Sequence, residues 1–199
     1  MPLGDSYTIC EGAKSSECWT ELLTVSLYKK GVKLEVIANP ARSGFTTKDL
    51  IERELPLLDI YKPDFVTLLI GVNDWVQDVP IEEFKTNYIF ILDKIQESLP
   101  EKQQILILSI PDFSVKPEGK KFGNGRNISD GIASFNEIIF SIASERGLKV
   151  VDLFKLSQEI KYDKQSVAED GLHPSAKEYA IWEKMIFQPV FELLREKEK

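Results

Sequence analysis

Four short polar clusters in this 199-residue sequence contain the residue types that acyl transfer requires. They are Gly4-Asp5-Ser6-Tyr7-Thr8, Asn39-Pro40-Ala41-Arg42-Ser43-Gly44-Phe45-Thr46, Gly71-Val72-Asn73-Asp74 and Glu169-Asp170-Gly171-Leu172-His173-Pro174. A serine hydroxyl attacks a carbonyl only when a base removes its proton, and histidine is the usual base. That base needs a partner to fix its tautomer and steady its charged form. His173 is the only histidine in the chain. Asp170, three residues before it, is close enough to turn back within one loop, and the adjoining Glu169 is the competing acid. The tetrahedral intermediate carries an oxyanion that needs preorganised N–H donors. Gly44 allows close backbone approach, Asn73 offers a side-chain amide, and the N–H of Ser6 is a third donor. The candidates are therefore Ser6 as nucleophile, His173 as base, Asp170 as its partner, and Ser6, Gly44 and Asn73 as the oxyanion hole.

These residues must be brought together by the elements around them. The runs 64–71 and 104–110 are continuously apolar, as expected of strands buried on both faces. Residues 33–38 alternate like a strand, 148–152 form a short further strand, and 3–5 are the stub of a first one. Ile81, Phe84, Tyr88, Ile91 and Ile95 repeat at helical spacing just after Pro80. Residues 18–30 and 128–146 read the same way. A last helix begins at Ser175, with Glu178 completing a capping-box pattern, and Pro189 is expected to kink or end it. Alternating strands and helices imply a parallel sheet with helices on both faces. In such sheets ligands bind beyond the carboxyl ends of the strands. All four polar clusters follow strands in this reading, so they converge on one edge.

Composition narrows the alternatives. Hydrophobic residues make up 43% of the chain, enough for a full core in a single domain spanning 1–199. No apolar run approaches the ~20 residues of a bilayer span, and no secretory signal is visible. A cytoplasmic location is expected as the sequence stands, unless an upstream leader has been removed. The formal charge of −7 argues against nucleic acid as a partner. Two cysteines do not make a disulfide framework, and with one histidine they do not build a typical zinc site. No metal or other cofactor is expected.

At the four clusters the sequence resembles the SGNH (GDSL) hydrolases. Gly4-Asp5-Ser6, Ser43-Gly44, Gly71-x-Asn73-Asp74 and Asp170-x-x-His173-Pro174 stand in that family's order, from residue 4 to the last helix. The resemblance implies a flavodoxin-like three-layer α/β/α sandwich with a five-stranded parallel sheet. It implies the triad Ser6, Asp170 and His173, the oxyanion donors Ser6, Gly44 and Asn73, no cofactor, and a small ester as substrate. The α/β-hydrolases share the order Ser…Asp…His, but their Gly-x-Ser-x-Gly elbow is absent here. The expected activity is esterase-like, lysophospholipase-like or carbohydrate acetylesterase-like.

Several residues carry expectations of their own. Phe45, Trp75 and Phe113 either line an acyl or aryl pocket or cap the core. Cys10 lies where relatives often have glycine, and packs as a small side chain or offers a thiol near the site. Arg42 pairs with a nearby carboxylate or meets an anionic substrate, the pairing being favoured. Asp5 and Asp74 are expected to brace loops. The Lys116–Arg126 segment reads as a solvated loop, a lid or a phosphate-contacting rim. The alternative to an esterase is a catalytically degenerate glycan- or lipid-binding module using the same cleft, suggested by the short first strand.

Overall fold

The computed structural model describes residues 1–196. Strands β1 (Pro2–Gly4), β2 (Val66–Leu69), β3 (Ile105–Leu108) and β4 (Lys149–Val151) lie side by side in that order. All three pairings are parallel, with Leu3 opposite Leu68, Thr67 opposite Leu106, and Ile107 opposite Val150. Every residue of β2 and β3 is buried, the reason these segments read as unbroken apolar runs.

Eight α-helices accompany the sheet: α1 (Trp19–Tyr28), α2 (Thr47–Arg53), α3 (Pro56–Tyr61), α4 (Val72–Val76), α5 (Ile81–Ser98), α6 (Ile128–Glu145), α7 (Leu153–Glu159) and α8 (Ala176–Glu196). They form two packed groups. Helix α1 lies on α8, while α5 contacts α2, α3 and α6. The apolar stripe of α5 is buried at Phe84, Tyr88, Ile91, Leu92 and Ile95, as its spacing predicts. Helix α6 starts at Asn127, whose side chain accepts from the N–H of Asp130. Helix α8 continues through Pro189 to Glu196 instead of ending there. Val190 and Leu193 extend the buried stripe of Tyr179, Trp182 and Ile186 beyond the proline, so packing offsets the lost backbone bond.

The expected fifth strand is not present among the described residues. Residues 33–38 are extended and keep the alternation their sequence shows, even-numbered residues half-buried and odd-numbered ones exposed. They run near β1, where Leu34 and Val36 share a small cavity with Met1, Pro2 and Thr67. No ladder forms, and the outer edge of β1 explains why. Met1 O accepts from Thr67 N, so by strand alternation Pro2 and Gly4 present their backbone outward. Pro2 has no N–H, and the Gly4 N–H is taken by Glu54 Oε2 at 3.0 Å. That edge has no donor left for another strand.

Four helices were not anticipated individually. Helix α2 opens with Thr46 and Asp49 in a reciprocal capping box, and α3 has Pro56 in its first turn. Helices α4 and α7 are one to two turns long and follow directly on β2 and β4. Because α7 and a 3₁₀ turn at Lys164–Ser166 intervene, the His173 loop does not leave β4 directly.

Candidate active site

Ser6 sits two residues past the end of β1. Gly4 ends the strand at φ +153°, and a Cβ there would stand 2.1 Å from the carbonyl oxygen of Leu69. Only glycine lets the chain turn out of the sheet this close to β2. Asp5 then organises the turn. Its Oδ1 accepts from Tyr7 N at 3.0 Å, and its backbone oxygen accepts from Thr8 N at 3.0 Å. Complete burial pushes the Asp5 carboxyl up to about 8. Asp5 braces the turn that carries Ser6, as the sequence suggests, and Asp74 braces a neighbouring loop. The Asp74 carboxylate receives Thr47 N at 2.9 Å and Thr47 Oγ1 at 2.5 Å, which ties α4 to the start of α2. Burial raises its pKa as well.

His173 and Asp170 are joined within their loop. His173 Nδ1 lies 2.5 Å from Asp170 Oδ2. Asp170 Oδ1 accepts from the backbone N–H groups of Leu172 at 2.8 Å and His173 at 2.9 Å. Partial burial opposes its charge, but these N–H groups and the imidazole outweigh it and hold the Asp170 carboxyl below the usual range. Glu169, the competing acid, is exposed, and it is Asp170 that meets the imidazole.

The loops converge. Ser6, Asn73 and His173 line one small cavity of about 80 Å³, whose walls include Val72, Val76, Phe113, Phe122 and Leu172. Asn73 Nδ2 gives one hydrogen to Phe45 O at 2.9 Å, leaving its second for a ligand. Gln77 Nε2 holds Gly44 O at 3.3 Å, so α4 grips the Gly44 loop at two points. Gly44 itself lies at φ +83° with open space where a Cβ would be.

The three aromatic candidates separate. Phe113 reaches the cavity. Trp75 is in the core instead, sandwiched edge-on by Phe113 and face-on by the Arg126 guanidinium 4.1 Å from its ring centre. Phe45 lines a different cavity of about 450 Å³, with Ile37, Arg42, Arg53, Leu57 and Tyr61. Arg42 is exposed and has no ion pair among the described residues, contrary to the favoured expectation. Phe122 and Leu172 line the site without having been singled out, since isolated apolar residues in loops carry no pattern.

Two further expectations change. Cys10 has no free thiol: it is bonded to Cys18, with Cα atoms 5.3 Å apart. The bond closes the loop that follows the Ser6 turn onto the start of α1. The Lys116–Arg126 segment is more than a solvated loop. Its Lys116 is buried and pairs with Glu178 of α8, while Nζ also reaches Ser166 O at 3.2 Å. Glu118 N donates to Gly171 O at 3.0 Å, fastening the same segment to the Asp170–His173 loop.

Residues 3–181 match the GDSL-like Lipase/Acylhydrolase family. An arylesterase of Vibrio mimicus is 26% identical over 174 residues, covering 87% of this chain and 78% of that protein. The lipase/acylhydrolase from Enterococcus faecalis shares the fold with a TM-score of 0.76 at 22% identity, over 96% of this chain and 94% of that one. The Clostridium thermocellum family 3 carbohydrate esterase does so with a TM-score of 0.77 at 21% identity, over 98% and 96% of the two chains.

Proposed function

Because the chain belongs to the GDSL-like lipase/acylhydrolase family and is an ester-hydrolysing enzyme, we propose that it cleaves small carboxylic esters through a Ser6–His173–Asp170 triad. The observation that carries this reading is the 2.5 Å contact between His173 Nδ1 and Asp170 Oδ2, with His173 sharing one cavity with Ser6 and Asn73. His173 takes the Ser6 proton on Nε2 as Oγ bonds to the carbonyl carbon. Negative charge moves to the carbonyl oxygen, which the N–H of Ser6, the N–H of Gly44 and the Asn73 amide receive. The imidazolium gives its proton to the departing alcohol, leaving an acyl group on Ser6. Water then enters, gives a proton to His173 and attacks the acyl carbon, and His173 passes that proton to Ser6 Oγ as the acid leaves.

The cavity is far smaller than the ~300–1,000 Å³ typical of drug-sized ligands, which favours a short acyl group such as acetyl. The similarity to an arylesterase supports an ester as the substrate. No helix of the described residues is long and apolar enough to cross a membrane. The Cys10–Cys18 bond favours an oxidising compartment over the expected cytoplasmic one.

Hydrolysis of p-nitrophenyl acetate across pH tests this reading. An imidazole base must be neutral to act, so kcat/KM should rise with pH through neutrality and then level. No hydrolysis at any pH, or a flat profile between about pH 5 and 8, would overturn it.

A further inference from the structure

Glu11 stands beside His173 and has no part in the triad. It lies five residues after Ser6, in the loop closed by the Cys10–Cys18 bond. Its carboxylate Oε2 accepts from Ser43 Oγ, the residue just before Gly44. The same oxygen lies 3.8 Å from His173 Nε2, the nitrogen on the far side of the ring from Asp170. Polar atoms of Glu11, Asp170 and His173 all fall within 4.8 Å of one another. The Glu11 backbone is fixed too, since its N–H donates to Ser6 O at 2.9 Å and its carbonyl accepts from Tyr179 Oη at 3.0 Å. One residue thereby touches the nucleophile turn, the Gly44 loop, the base and α8.

We propose that Glu11 is a positioning residue for the reaction. Its carboxylate steadies the imidazolium of His173 from the Nε2 side, and through Ser43 it holds the loop that presents Gly44. The proposal rests on the triad reading above. The first role follows from charge. Nε2 gains its proton when Ser6 attacks, and a carboxylate close by favours that charged ring. Half-exposure of the Glu11 side chain weakens the effect through solvent screening. The second role follows from geometry, because the Ser43–Glu11 hydrogen bond ties the loop that carries Gly44 from the side opposite the Asn73 and Gln77 bonds of α4.

Other groups also surround the ring. Asp170 holds Nδ1, and Tyr7 packs edge-on with ring centres 6.0 Å apart. Glu118 packs over Gly171 while paired with Lys121, and the buried Lys116–Glu178 pair lies against the neighbouring Ser166.

Two substitutions separate the roles. Glu11→Gln keeps an acceptor for Ser43 but removes the charge. Without that charge the imidazolium releases its proton more readily, so the acid limb of the kcat/KM profile should move down by about half a pH unit. The plateau should fall by about threefold, the same free energy expressed as a rate. Ser43→Ala keeps the charge and removes the brace, so kcat should fall with the acid limb unmoved. Glu11→Asp should restore part of the limb position. Each profile is measured with p-nitrophenyl acetate on protein whose melting temperature matches the parent. An unmoved limb and unchanged plateau in Glu11→Gln, in a protein whose parent hydrolyses the ester, would overturn the proposal while leaving the triad intact. An inactive parent would instead overturn the triad reading beneath it.

Discussion

Alanine at His173 should leave a folded protein whose ester hydrolysis is reduced by about 10⁴-fold or more. The size of this effect follows from the composition. His173 is the only histidine, so no other imidazole can take over proton transfer. Ser6→Ala should be as damaging, and the double variant no worse than either single one, because nucleophile and base act as a unit. Asp170→Asn tests the third member. Asparagine can still accept the Leu172 and His173 N–H groups, which keeps the loop shape, but its amide no longer favours the His173 Nδ1–H tautomer. Steady-state hydrolysis of p-nitrophenyl acetate measures all four. Residual activity of Ser6→Ala near that of the parent would rule out the mechanism.

The largest effect on stability should come from Lys116→Ala. Lys116 and Glu178 have side chains 6% and 0% exposed, and they pair with each other. Forming such a pair contributes little net stability, because both ions lose their hydration. Breaking it is different, since Glu178 would remain buried and unpaired. The expected cost is about 3–5 kcal/mol. Burial already raises the Glu178 pKa, with Lys116 as the main opposing influence. Removing Lys116 takes away that opposition and pushes it higher still. The folded variant then binds a proton that the unfolded chain releases, so stability is greatest at low pH and declines as pH rises through the folded pKa. Urea unfolding of parent and variant at several pH values would show a gap that widens with pH. A Lys116→Met, Glu178→Leu pair should recover most of the loss, because no charge is left stranded. A gap independent of pH would mean that Lys116 contributes only packing.

Buried, periodic segments were the most readable parts of the fold. Residues 66–69 and 105–108 are hydrophobic on both faces because both faces are covered, and α5 repeats at helical spacing because one side alone is buried. The misread fifth strand shows the limit of such patterns. Residues 33–38 do alternate between half-buried and exposed, but a ladder also needs a partner with free donors. Pro2 and the Gly4–Glu54 bond remove those from the edge of β1. Long-range pairing of this kind leaves no trace in local spacing. Pro189 does not end α8 for a related reason, since the packing of Val190 and Leu193 outweighs a local preference.

The site divides along the same line. Asp170 and His173 are three residues apart, so their contact was foreseeable within one loop. Bringing Ser6, Asn73 and His173 to one cavity depends on parallel register, which the strand pattern only implied. Glu11 and Lys116 escaped notice because a charged residue in a loop ordinarily faces solvent. Their partners, Ser43 and Glu178, stand 32 and 62 residues away. The Cys10–Cys18 pairing is hidden likewise, since eight residues of spacing do not bring two Cα atoms to 5.3 Å without the turn between them.

A fluorophosphonate probe tests the central claim most directly. Phosphonylation needs a serine made nucleophilic by its base, and the adduct can be located by mass spectrometry of the digested protein. The parent should carry the label on the peptide containing Ser6, Ser6→Ala should carry none, and His173→Ala should label far more slowly. A labelled serine elsewhere, or an unlabelled Ser6 in protein that still hydrolyses p-nitrophenyl acetate, would contradict the assignment.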